Sequence, residues 1–153
     1  MVKLLLVCAS IPIFSPIAAS AADFSLTIGP PVAAGTGSKV VKKAAVSFAV
    51  RLEQCAALDK ARISGTAEGV ADGARRSVPV MLIAAASPGV FLVSQDWPEG
   101  VWVVNLSATC GSAKAGAVVP IGPSGGFLRE GLKVWTRPAT KGEVEAALKA
   151  LEK

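Results

Sequence analysis

Gly122-Pro123-Ser124-Gly125-Gly126 spells the G-x-S-x-G turn that presents a nucleophilic serine in many hydrolases. The chemistry needs a base to take the hydroxyl proton, and the chain contains no histidine. A lysine could serve instead, but no serine is followed three positions later by lysine. Pro, Ser and Gly are also the expected residues of an ordinary turn, which is how Ser124 reads. Two carboxylate pairs, Asp96 with Glu99 and Glu68 with Asp72, have the residue types for general acid–base work on a glycoside. Both pairs fall in turn-like surroundings, where carboxylates are ordinarily solvated. Metal chemistry has few donors. One methionine, Met81, remains beyond residue 22, and Asp72, Asp96 and Glu99 lack the D-x-D-x-D spacing of a calcium loop. Gly35-Thr36-Gly37-Ser38-Lys39 lacks the adjacent Gly-Lys of a phosphate loop. Neither a cofactor nor a metal site is expected. Trp97 is the remaining residue with recognition chemistry. Beside Pro98 in a turn, it either folds back over the sheet edge or stands exposed as a platform on which a sugar ring could stack.

Residues 1–22, MVKLLLVCASIPIFSPIAASAA, carry Lys3, an apolar stretch and small residues fitting a cleavage site, the pattern of an export signal cut before Asp23. Pro12 and Pro16 interrupt the stretch and argue against a retained membrane span. The expected location is therefore periplasmic or secreted. Cleavage removes Cys8 and leaves Cys55 and Cys110, an even pair in an oxidising compartment, so a disulfide between them is expected. It also removes Lys3, which takes the balance of 16 basic and 11 acidic residues to 15 and 11, a net +4. The basic residues are scattered apart from Lys39, Lys42, Lys43 and Arg75-Arg76, and an exported chain of this charge gives no reason to expect nucleic acid as a partner.

The elements that would position these residues follow from hydrophobic period. Phe24, Leu26 and Ile28 alternate with polar residues, as do Val46, Phe48, Val50 and Leu52, the most regular half-buried strand of the chain. Cys55 is out of phase with that face and must follow a bulge or strand end. Further strands are expected over 62–69, 78–85, 90–95, 101–109, 117–121 and 132–136, with 70–77 as a turn and Pro79 near the start of its strand. The strands at 90–95 and 101–109 should pair about Asp96–Gly100, with Trp102, Val104, Leu106, Ala108 and Cys110 on the core parity. Trp135 should pack beneath a closing helix. Asn105-Leu106-Ser107 spells a glycosylation sequon, but inside a strand it makes a poor acceptor. Thr140 and Glu143 have capping-box spacing, and Val144, Ala147, Leu148 and Leu151 recur at helical intervals, which predicts a helix over 141–152 lying on the sheet or over an edge strand.

These elements predict a mainly β single domain over 23–153: an antiparallel immunoglobulin-like β-sandwich of seven or eight strands with one C-terminal helix. The segment Val78 to Cys110, with its P-G-x-aromatic turn opening one strand and a Gly-x-Trp beginning the next, resembles small exported bacterial domains of the immunoglobulin-like and carboxypeptidase-regulatory-like sandwich type. Related copper-handling domains use histidine and methionine ligands that this chain lacks. The resemblance brings no known activity with it. The first expectation is a non-catalytic envelope or secreted module that binds a protein partner through an exposed edge or turn, with the Trp97 turn and nearby Asp96 and Glu99 as its candidate surface. The alternatives are a glycan-binding domain that uses exposed Trp97 and a carboxylate-dependent hydrolase.

Overall fold

Alternation in the sequence becomes two antiparallel sheets in the computed structural model, which describes residues 23–32 and 45–153. The expected leader over 1–22 and the residues Lys39, Lys42 and Lys43 lie outside the described residues. Sheet one contains β1 (Ser25–Gly29), β2 (Val46–Glu53), β5 (Leu82–Ala84) and β6 (Val90–Ser94), in the order β1-β2-β6-β5. Sheet two contains β3 (Arg62–Ala71), β4 (Ala74–Pro79), β7 (Val101–Cys110), β8 (Ala113–Pro120) and β9 (Lys133–Trp135), in the order β4-β3-β7-β8-β9.

Between the sheets lies the main core. Leu26, Phe48, Val50 and Leu52 meet Trp102, Val104, Leu106 and Ala108, so the parity expected for β2 and β7 is the one observed. Burying side chains of this size stabilises by about 1.5–3 kcal/mol each. Cys55 and Cys110 join the end of β2 in sheet one to the end of β7 in sheet two, with Cα atoms 5.8 Å apart. Gln54, just past β2, adopts a left-handed φ of 59°, and this kink turns Cys55 out of the strand's alternation and towards the core. A smaller apolar cluster of Ala49, Ile83, Val90 and Leu92 occupies the other face of sheet one.

The helix α1 (Lys141–Leu151) forms a third layer. Thr140 and Glu143 complete a reciprocal capping box at its start, and Val144 and Leu148 pack on Val103 and Val118, the outward side chains of β7 and β8. On the side of β7 that alternation leaves outside the sandwich, Val103 is therefore buried too, while Val101, Asn105, Ser107 and Thr109 are partly exposed. Trp135 packs in the same cluster, as expected, with the Arg137 guanidinium 5.4 Å from its ring centre.

The structure corrects the strand count, because nine strands among the described residues replace the seven or eight expected. Residues 70–77 are not a long turn: β3 runs to Ala71, β4 starts at Ala74, and only Asp72-Gly73 turns between them. Both turn residues have positive φ, 52° and 74°, the requirement of a type I′ hairpin that Asp-Gly meets at low steric cost. The single buried strand expected over 78–85 is divided as well. Pro79 ends β4 rather than starting a strand, Val80 and Met81 cross from sheet two to sheet one, and Met81 is 48% exposed. A proline cannot donate to a ladder, so a strand ending there forgoes less pairing than one continuing through it.

Candidate functional site

Three of the residues singled out in the sequence lie in one turn, Asp96–Gly100, between β6 and β7. The chain reverses there because both flanking strands are pinned. Gln95 N donates to Ala45 O at 2.8 Å, and Trp102 Nε1 reaches back to the Pro98 carbonyl, also at 2.8 Å. That second bond draws the turn inward over the end of the sandwich.

Trp97 follows it. It is only 6% exposed and belongs to the main core cluster, so of the two placements open to it the ring takes the folded-back one, and the exposed platform of the glycan-binding alternative is not formed. The physical reason is the area at stake, since a tryptophan ring removes roughly 150–250 Å² from water when it folds back. Asp96 is engaged within the fold. Its Oδ1 accepts from Ser94 Oγ at 3.0 Å and its Oδ2 from Met81 N at 3.1 Å, a clamp that holds the start of β5 against the end of β6. Glu99 is exposed and makes no ion pair among the described residues. The second carboxylate pair is also separated by its partners: Glu68 accepts from Ser77 Oγ at 2.7 Å, whereas Asp72 sits in the hairpin turn near Arg76. Among the described residues no group of three or more Cys, Asp and Glu is arranged to hold a metal ion.

Facing the Trp97 turn is the loop that contains Ser124. Gly122 N donates to Gly126 O at 2.8 Å and Gly125 N to Gly122 O at 3.0 Å, a closed loop in which Pro123 and Ser124 project to solvent. Ser47 Oγ on β2 donates to the Gly125 carbonyl and fixes the loop to sheet one. A strand precedes Ser124, but the chain runs on through an isolated bridge between Ile121 and Phe127 rather than into a helix, so the nucleophile-elbow context is missing. Between the two loops is a cleft of about 180 Å³ lined by Trp97, Pro98, Glu99, Trp102 and Pro123. Small-molecule sites commonly enclose about 300–1,000 Å³, so this cleft is the size of one inserted side chain.

No protein-family model, curated protein or solved structure matches this chain. Its function must be argued from its own surfaces.

Sequence reasoning missed a second place, at the seam between α1 and sheet two. Asn105 stands there in line with Val101 and Val103 on the outward face of β7, and its Oδ1 is buried without a hydrogen-bond partner among the described residues. On that parity the two valines give way to Asn105, Ser107 and Thr109, so the amide is the first polar residue of the run. Read as part of a sequon, the residue gave no hint of a cleft.

Proposed function

We propose that the chain is a non-catalytic exported module, periplasmic or secreted, that binds a protein of the cell envelope through its paired Trp97 and Ser124 loops. The observation that carries this reading is the pre-organisation of those loops. Trp102 Nε1 holds Pro98, Ser47 holds Gly125, and the side chains left outward are Pro98, Glu99, Pro123 and Ser124. A rigid, mixed apolar and acidic rim around a cleft of about 180 Å³ suits a protein surface that inserts one side chain, since little ordering entropy remains to be lost on binding. Trp97 in this reading is the anchor beneath the rim, while Glu99 is the outward charge.

An immunoglobulin-like arrangement belongs to the same proposal. Lettered in chain order from β1 as A, sheet one reads A-B-E-D, and β4-β3-β7-β8 of sheet two reads C′-C-F-G, with the cross-link between B and F. The chain departs from antibody domains in three ways: the cross-link joins strand ends, Trp102 lies on F rather than C, and β9 and α1 are additional. The recognition loops of antibody variable domains, B–C, C′–C″ and F–G, lie at one end of the sandwich, whereas the Trp97 turn is the E–F loop at the opposite end, so the proposed site rests on its own geometry and not on that likeness.

Site-directed photo-cross-linking tests the reading. A photoreactive residue at position 99 or 124 should capture the same envelope protein, and one at Arg76 on the exposed strand β4 should not. Equal capture from all three positions, or none from 99 and 124, would overturn it.

A further inference from the structure

Among the described residues each sheet ends on two strands with no further neighbour in the ladder: β1 and β5 in sheet one, β4 and β9 in sheet two. Such edges are open templates for another strand, and proteins commonly protect them with charge or proline. Three of the four follow that rule. β4 carries Arg75 and Arg76 and ends on Pro79, β9 begins with Lys133, and β1 runs into Pro30-Pro31. β5 has no such protection. From Ser77 to Gln95 the chain has no charged residue, and from Val80 to Ser87 it has no proline either.

The backbone of β5 is already set for a partner. Met81 O accepts from Ser94 N at 3.0 Å and Ala85 N donates to Val90 O at 2.9 Å, so these two residues bond towards β6. By the alternation of an antiparallel ladder, the N–H and C=O of Leu82 and Ala84 point away from the sheet. Asp96 Oδ2, which accepts from Met81 N, fixes where this edge begins.

The side chains say which strand fits. An antiparallel copy of β5 turned about a two-fold axis at Ile83 would set Leu82 opposite Ala84 of the second copy and Met81 opposite its Ala85. Each large side chain then meets a small one. Met81 and Ala84 are exposed, while Ile83 and Ala85 belong to the apolar cluster on the outer face of sheet one, which the second copy would continue across the axis. Two-fold contacts bring like residues together, so an edge with charges of one sign repels its own copy. Arg75 and Arg76 thus make β4 unfit to pair with itself, and β5 meets no such obstacle.

We propose that β5 pairs with β5 of a second copy, antiparallel about a two-fold axis at Ile83, so that two four-stranded sheets become one continuous sheet. Leu82 and Ala84 of each copy exchange backbone hydrogen bonds with Ala84 and Leu82 of the other. The contact consumes both open edges, so assembly stops at the dimer. β5 lies outside the Trp97 and Ser124 loops, and the partner-binding reading does not require it.

Sedimentation equilibrium of the purified protein tests this. The contact is at the small end of specific interfaces, so a dimer with a dissociation constant at or below about 100 µM is expected. Ala84→Pro removes an N–H that faces away from β6, and it should weaken the dimer at least about tenfold while leaving the ladder within sheet one intact. Met81→Lys puts a charge at an exposed position on the edge and should do the same, which keeps the test decisive if circular dichroism shows that the proline variant does not fold. Arg76→Ala, on the β4 edge, should change nothing. In hydrogen exchange the Leu82 and Ala84 amides should slow as protein concentration rises. A monomer at every concentration up to about 1 mM, which would leave the edge to a strand of another protein, would overturn the proposal. So would a dimer that Met81→Lys does not weaken, or one without added protection at Leu82 and Ala84.

Discussion

Opening the Cys55–Cys110 cross-link should cost this fold about 4 kcal/mol. The bridge joins residues 55 apart in sequence, and that loop contains β3 to β6 and nearly all of β7, so in the unfolded chain it restrains segments from both sheets. Loop closure over this length removes about 14 cal/mol/K of unfolded-chain entropy, or about 4 kcal/mol at 25 °C. For a domain of this size that corresponds to a fall in melting temperature of roughly 12–20 °C. Urea unfolding followed by tryptophan fluorescence measures it. Cys55→Ala, Cys110→Ala and the double variant should lose nearly the same free energy, because losing either sulfur opens the whole loop and the second substitution has little left to remove. The urea slope should also rise in all three, since an uncross-linked chain exposes more surface on unfolding. Losses below about 1 kcal/mol with an unchanged slope would refute the entropic account. So would additive single losses, which would assign the effect to packing of each sulfur rather than to the bridge.

Three further outcomes follow from particular contacts. Gly69→Ala would drive a methyl group into the Trp102 ring and the Val101 carbonyl, so it should lower stability by about 1–3 kcal/mol in chemical denaturation, although alanine suits a strand no less than glycine. Trp97→Ala empties a core position and should cost about 3–5 kcal/mol, and the tryptophan emission of the native protein should not change with added oligosaccharide. The Glu143 carboxyl is lowered from 4.5 to about 2, first by its hydrogen bond with Arg137 and then by the Thr140 backbone N–H, so its contribution to stability is complete above pH 4.5 and is lost as the pH falls through about 2. Glu143→Gln should flatten that part of the stability profile, measured as the urea midpoint between pH 4.5 and 2.

The elements most legible in the sequence are those whose geometry is set locally. Alternation at Val46–Leu52 gave the inward face of β2 because a strand's side chains have no third direction to take. Thr140 and Glu143 gave the start of α1 because a capping box is formed by residues three apart. The Cys55–Cys110 pairing followed from the expected loss of Cys8 with a leader, which would leave an even count, and from the oxidising compartment expected with it, while the phase error at Cys55 required a bulge or strand end. Less was visible where distant residues decide. The Asp72-Gly73 hairpin signal is local, yet Gly, Asp and Arg spread along 70–77 also suit one long turn, and only the pairing of β3 with β4 decides between them. The crossing at Val80 and Met81 is different, because it depends on Asp96, fifteen residues away, accepting from the Met81 backbone. The fate of Trp97 likewise turned on the Trp102 bond to Pro98, which no turn propensity encodes.

The helix explains why this chain presents its polar chemistry where it does. Sheet two has two apolar faces, one against sheet one and the other, through Val103 and Val118, against Val144 and Leu148 of α1. Beyond Val103 the outward side of β7 is only half-buried, and Asn105, Ser107 and Thr109 occupy it, so Asn105 marks the border at which the cover of the helix gives way to polar side chains. Lys141 and Glu145 lie four residues apart at the start of α1, and both line the cleft at that border, with Arg75 of β4 pairing Glu145 across it. The Arg137–Glu143 pair, also at the helix start, fixes the same end of α1 to the segment after β9. Charge pairs and the apolar contact of Val144 thus act together at the first turn of α1, and Leu148 continues the packing towards its other end. Solvent screens exposed pairs of this kind, so the burial of Val144 and Leu148 supplies most of the hold, and the charges set where along the sheet the helix starts.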